Sequence, residues 1–254
     1  MIPARIFQTW KSKVDIPVSF RYWRQTFFTH NPGYDIRLLD DADNRNYVER
    51  HCPKFLPVYD FFPQEIYRAD AIRPFYMFYE GGFYADMDFE CIKPLAKYLG
   101  SEQIILGSMG VDPDFSHSIP NAMLASPPLE GFWLLYLSEI VAQHRRSREL
   151  KAEYVTGPVI LKGCVAQYLH DRDGALSKIK KFRDEFEVQV DLGDIRFSTI
   201  NILPGIEWYP LDWSDPIHQM FRTQIMQSGG VLSSEDVGTF FRRSHAVTYW
   251  SHTR

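Results

Sequence analysis

The chain has 254 residues, 45% of them hydrophobic and 24% charged, which excludes wholesale disorder and leaves room for one large domain or two small ones. A formal net charge of −4 disfavours a nucleic-acid partner, because such domains need a basic excess. Three widely spaced cysteines (Cys52, Cys91, Cys164) form no C-x-x-C pair, so neither a zinc site nor a disulfide framework is expected. The first residues resemble neither a signal peptide nor a membrane span, and no apolar run reaches about 18 residues. A soluble, cytoplasmic protein is the expectation.

Residues 4–10 read as a first strand, with Ile6 and Trp10 as its large apolar members. Pro17 opens a helix in which Phe20, Trp23, Phe27 and Phe28 recur at helical spacing. Asn31-Pro32-Gly33 is a turn, and residues 34–39 alternate like a strand. Asp41 is the expected cap of the next helix, which Cys52-Pro53 ends. Three prolines in residues 53–63 predict a loop. Residues 64–80 have helical composition but contain Pro74, so the helix either kinks there or starts near Asp70. Gly81-Gly82 stops it, and residues 83–85 form a short buried strand.

Further strands are expected at residues 103–107 and 122–125. A helix starting near Glu130 follows, with Phe132, Leu135, Tyr136 and Ile140 on its apolar face. It runs into the basic stretch 144–151, most simply a solvated face and otherwise a peripheral contact with an anionic membrane. Thr156-Gly157-Pro158 turns into another helix, and residues 187–192 and 198–203 read as short strands. No repeat or linker divides the chain, which favours one α/β domain over residues 1–254.

The chemistry gathers in residues 66–91. Asp86 and Asp88, one residue apart after an apolar strand, suit a hard divalent cation such as Mn²⁺ or Mg²⁺. The pair alone is a weak signal. It gains weight from its place at a strand's carboxyl end, where α/β proteins bind ligands. Asp70 and Arg73 are three apart on a helix and share a face within an apolar segment, where ionised groups need partners. A hydroxyl-rich ligand would supply them, since Asp accepts from hydroxyls and Arg donates in a fork.

The set Arg68, Asp70, Arg73, Gly81, Gly82, Tyr84, Asp86 and Asp88 resembles the sugar-binding region of DXD-containing glycosyltransferases. The nearest resemblance is to family 32, which includes yeast mannosyltransferases and bacterial capsule and lipopolysaccharide enzymes. The large clostridial glucosylating toxins share the arrangement. Residues 2–10 and the Asn31-Pro32-Gly33-Tyr34 and Leu39-Asp40-Asp41 segments extend the resemblance over roughly the first 95 residues.

It implies a GT-A fold, Rossmann-like, with a mixed, mostly parallel central sheet and flanking helices. It also implies retaining transfer of a hexose from a UDP- or GDP-sugar to a glycan, lipid or protein acceptor. By that resemblance Asp88 and Asp86 bind Mn²⁺ or Mg²⁺, with His245, or His252 in its place, completing the metal site. Asp70, Arg73 and Tyr84 hold the donor sugar, with Asp86, Arg68, Gly82 and Asn121 also at the donor. Gln8, Thr9 and Trp10 border the base, and Trp250 closes over the diphosphate. Asp86, Asp88, Asp70 and Arg73 form the catalytic group.

Two other classes fit these residues less well. A DxD-type phosphohydrolase places its pair near the N-terminus, followed by a small pair such as Gly-Thr, whereas Phe89-Glu90 follow here. A non-catalytic carbohydrate-binding homologue would not need Asp86, Asp88, Asp70 and Arg73 together.

Overall fold

The computed structural model describes residues 1–110 and 112–251. In chain order the strands are β1 (Arg5–Thr9), β2 (Asp35–Leu39), β3 (Gly82–Ala85), β4 (Phe89–Cys91), β5 (Ile104–Gly107), β6 (Met123–Ser126), β7 (Ile200–Leu203) and β8 (Ala246–Thr248). The α-helices are α1 (Val18–His30), α2 (Asp41–His51), α3 (Leu56–Phe61), α4 (Glu65–Tyr79), α5 (Gly131–Gln143), α6 (Pro158–His170), α7 (Arg172–Glu185), α8 (Pro216–Gln227) and α9 (Ser234–Thr239).

The main sheet has the order β2-β1-β3-β6-β5-β7. Only β6 runs against its neighbours. The β1–β2, β1–β3 and β5–β7 pairs are parallel, and β6 pairs antiparallel with both β3 and β5. This is the mixed, mostly parallel α/β sheet expected. Alternation along β1 and β3 divides the core between the two faces. Phe7 and Tyr84 face the α4–α5 side, where Phe7 stacks on Tyr76 with ring centroids 4.5 Å apart. Ile6, Phe83 and Ala85 face a second cluster with Phe27, Tyr98 and Trp208. The small β4–β8 sheet joins the region after Asp88 to the C-terminal segment.

Helix α4 runs unbroken from Glu65 through Pro74 to Tyr79, starting well before Asp70. A proline inside a helix costs about 3 kcal/mol. Ile72, Phe75, Tyr76 and Phe78 are fully buried, and burying one such apolar side chain gives about 1.5–3 kcal/mol. Tertiary packing therefore outweighs the local penalty. Gly81 at φ +63° and Gly82 at φ +99° then turn the chain into β3. A Cβ on Gly82 would sit 2.6 Å from the Arg5 carbonyl oxygen, so β1 and β3 can approach only with glycine there.

Three local expectations need correcting. Asp40, not Asp41, caps α2, in a reciprocal capping box with Asp43. Residues 53–63 are not a loop, since Pro53–Phe55 form a 3₁₀ turn leading into α3. Prolines are tolerated in first turns, where the missing N–H has no helical partner. Residues 187–192 form no strand. The Val188 and Val190 amides bond locally, to Arg183 O and Val188 O, so the segment offers no free edge to the sheet.

Candidate active site

The carboxyl ends of β1 and β3 open into a cleft of about 510 Å³. Thr9 and Trp10 reach it from β1, and Asp86, Met87 and Asp88 from β3 and the turn after it. Helix α4 contributes Asp70 and Arg73. Because β6 runs antiparallel to β3, its entry lies beside the end of β3. The Asp86 amide bonds Ala122 O at 2.9 Å, and Asn121 is brought to the same point.

The floor is one connected network. Arg73 donates to Asp86 Oδ1 at 2.9 Å and to Asn121 O at 2.8 Å, and pairs with Asp70 Oδ1 at 3.2 Å. Asn121 Nδ2 donates to Asp70 Oδ1 at 3.1 Å, and the Thr156 hydroxyl to Asp70 Oδ2 at 3.4 Å. Tyr84 lies under the Arg73 guanidinium, 4.8 Å from its ring centroid, and donates to Asp86 Oδ1 at 2.6 Å. That leaves Thr9 Oγ1, 3.2 Å away, to donate into the Tyr84 oxygen. Asp70 and Arg73 are only 5% and 4% exposed, so their charges survive there because they are paired. Burial opposes the Arg73 charge, but Asp86, Tyr84 and Asp70 outweigh it and hold the guanidinium above its ordinary value.

Asp88 differs. Burial, then the neighbouring Asp86, push its carboxyl up to about 7. Its Oδ2 accepts from the Ser251 amide at 2.8 Å, and its carbonyl accepts from Tyr249 N at 3.0 Å. The strap after β8 thus closes against the DxD turn. Trp250 turns there with φ +49°, donates Nε1 to Leu211 O at 2.6 Å, stacks on Tyr209 and lines the cleft.

Not every expected residue reaches the cleft. Gln8 is fully buried one residue before it, with no side-chain hydrogen bond among the described residues. Arg68 turns to Glu65 and the Phe62 carbonyl. Gly82 lies within β3, and Tyr84 acts from beneath the floor. His245 precedes β8, at the end paired with Cys91 rather than the end beside Asp88. Its ring packs on Tyr98 and bonds Pro94 O at 2.9 Å. The strand carries it away, so it is not brought to the DxD pair. His252 lies outside the described residues. Among those residues, no group of three or more acidic, His or Cys side chains is placed to hold a metal. The Asp86 and Asp88 carboxylates are the oxygen donors that would hold Mn²⁺ or Mg²⁺, ions commonly bound by one or two carboxylates and completed by water and phosphate oxygens. A cation would offset both the burial and the Asp86 charge that raise Asp88.

The Ser251 amide at Asp88 is a backbone group, which no side-chain pattern in the sequence reports. His117, Glu153 and Trp213 also line the cleft, and no sequence pattern marks them because their segments meet only in the fold.

Residues 17–105 match the family model described as a glycosyltransferase sugar-binding region containing a DXD motif. That match takes in helix α4 and the DxD turn, so this segment is similar to the sugar-binding region of DXD glycosyltransferases. It is similar to inositol phosphoceramide mannosyltransferase 2 of Schizosaccharomyces pombe, 31% identical over 150 residues, covering 54% of this chain and 42% of that protein. It also resembles the initiation-specific alpha-1,6-mannosyltransferase of Saccharomyces cerevisiae, 33% identical over 101 residues, covering 37% of this chain and 21% of that one. The chain spans less than half the length of these curated relatives. The solved structure of the PaToxG glycosyltransferase aligns over 76% of this chain and 82% of its own, with a TM-score of 0.53 and 16% identity, which supports the GT-A fold. The matched segment includes Asp70, Arg73, Asp86 and Asp88 but not Asn121, Trp250 or Ser251.

Proposed function

We propose that this protein is a DXD glycosyltransferase, a metal-dependent, retaining enzyme that moves a hexose from a UDP- or GDP-sugar to an acceptor hydroxyl on a glycan, lipid or protein. The carrying observation is the Arg73-centred network, which presents Asp86 and Asp88 at the mouth of a cleft bordered by Trp10 and Trp250. Relatives named as mannosyltransferases favour mannose among the hexoses.

In this reading Asp86 and Asp88 hold Mn²⁺ or Mg²⁺, which when bound would neutralise charge on the leaving diphosphate. Arg73 sets the Asp86 carboxylate, and Asp70 and Asn121 present oxygen and amide groups to donor-sugar hydroxyls. Trp10 offers its face to the base, with its Nε1 held by Asp15 O at 2.8 Å. Ser251 orients Asp88, and Trp250 covers the diphosphate. Gln8, Arg68 and Gly82 serve the donor site from behind, through the strands and helix that carry the cleft residues.

The exposed arginines 145, 146 and 148 and Lys151 would suit a peripheral contact with an anionic membrane when the acceptor is a lipid. No helix among the described residues is long and apolar enough to cross one.

Calorimetry with UDP- and GDP-sugars, with Mn²⁺ and with a chelator, tests the reading. Donor binding is expected to depend on Mn²⁺ and to be lost in Asp88→Ala. No binding of any nucleotide sugar by the intact protein would refute it. The anomeric configuration of the product, read by NMR, is expected to match that of the donor.

A further inference from the structure

One wall of the cleft is left unused by the donor chemistry. It is made by His117, Trp213 and Glu153, from three separate loops. His117 stacks on Phe115 with centroids 5.5 Å apart, and Trp213 packs against both rings at 5.6 and 6.0 Å.

The two aromatic loops are braced from outside. Lys162 of α6 donates to the Pro113 and Phe115 carbonyls at 2.6 and 2.8 Å. Gln219 of α8 donates to Trp213 O at 2.6 Å, and His218 Nδ1 accepts from the Asp212 amide at 3.1 Å. The rings therefore form a built surface. Burial lowers His117, keeping its imidazole neutral and able both to donate and to accept. Glu153 is a carboxylate in the same wall, and its ion-pair partner among the described residues is Lys151 at 3.9 Å, an exposed side chain. This leaves its oxygens open to ligand hydroxyls.

The wall also borders the donor-sugar end. A Cβ on Gly157 would lie 2.8 Å from the Glu153 Cα and 3.0 Å from Asp70 Oδ2, so the Glu153 loop backs directly onto Asp70.

Aromatic faces beside a carboxylate and a neutral imidazole recognise a ring with an apolar C–H face and hydroxyl edges. We propose that His117, Trp213 and Glu153 form the acceptor subsite, and that the acceptor is a polyhydroxylated ring, a pyranose or a cyclitol, rather than a peptide hydroxyl. This rests on the glycosyltransferase reading above. The acceptor oxygen bonds to the donor's anomeric carbon as the bond from that carbon to the diphosphate oxygen breaks. The bonding pair leaves with the diphosphate, which also takes the hydroxyl proton.

The test uses the full chain with Mn²⁺ and the donor it binds. Methyl α-D-mannopyranoside and myo-inositol are supplied separately as acceptor probes. Mass spectrometry reads transfer, and nucleotide release with no acceptor present reads donor hydrolysis. At least one probe should be glycosylated. Trp213→Ala and Glu153→Gln should each lower the transfer-to-hydrolysis ratio on the order of tenfold, and Trp213→Phe should restore most of it. Donor hydrolysis without transfer to either probe would overturn the acceptor class. An unchanged ratio, or an equal loss of hydrolysis and transfer, would overturn the subsite. Absence of both donor binding and hydrolysis in the intact protein would instead refute the glycosyltransferase reading.

Discussion

The floor of the cleft and the strap that closes it are held by different forces. The floor is a side-chain network in which Arg73 joins Asp70, Asp86 and Asn121 within nearly complete burial. The strap is held largely through backbone: Tyr249 N to the Asp88 carbonyl, Ser251 N to the Asp88 carboxylate, and β8 pairing with β4. A buried charge network has one good arrangement and fails when a member is removed. A backbone strap tolerates many side chains and fails only where an N–H is lost or the chain cannot turn.

This contrast can be broken in graded steps. The largest effect is expected for Arg73→Ala, which leaves two carboxylates without their cation. A loss of about 3–5 kcal/mol in urea unfolding is expected, and a change below about 1 kcal/mol would show that the floor is not a network. Asp88→Ala should weaken Mn²⁺-dependent donor binding by about 100-fold or more while costing less stability, which calorimetry and unfolding can separate. Ser251→Pro removes the amide that meets Asp88 and should cost about 1.5–3 kcal/mol of strap attachment, seen as faster local hydrogen exchange around residues 246–250. Tyr84→Phe removes one hydrogen bond to Asp86 and should cost about 1–2 kcal/mol, the smallest of the four.

A pH experiment sharpens the comparison. The Asp88 carboxyl is raised in the folded protein from 3.8 to about 7. A raised carboxyl binds its proton more tightly when folded, so its contribution is favourable below the unfolded value and is lost as pH rises towards 7. In chelator, Asp88→Asn should therefore melt at a higher temperature than the parent at pH 7–8, and the difference should vanish below about pH 4. Adding Mn²⁺ should stabilise the parent alone. Identical melting of parent and variant across that range would place Asp88 in an ordinary solvated environment.

The strand-and-helix order of residues 4–51 and 64–85 was legible because it rests on local signals: Pro17 at a helix start, the turn at Asn31-Pro32-Gly33, and the glycines before β3, whereas α3 and the short β4 were not read. The weak points were also local. Residues 53–63 looked like a loop because prolines read as breakers, and only their first-turn positions make them compatible with helix. Residues 187–192 alternated like a strand, but a strand needs a partner, and β7 already occupies the edge beside β5.

The placing of Asp70 with Arg73 and of Asp86 with Asp88 was readable without the fold, because D-x-x-R on a helix and D-x-D after an apolar strand set face and spacing through the fixed periods of helix and strand. Which partners those groups meet depends on the fold. It turned Asp70 and Arg73 towards each other and Asp86, carried Arg68 and His245 elsewhere, and brought the Ser251 amide and the loops of His117, Glu153 and Trp213 to the cleft. Those contacts join residues far apart in the chain, and no local period encodes which distant loop a carboxylate will meet.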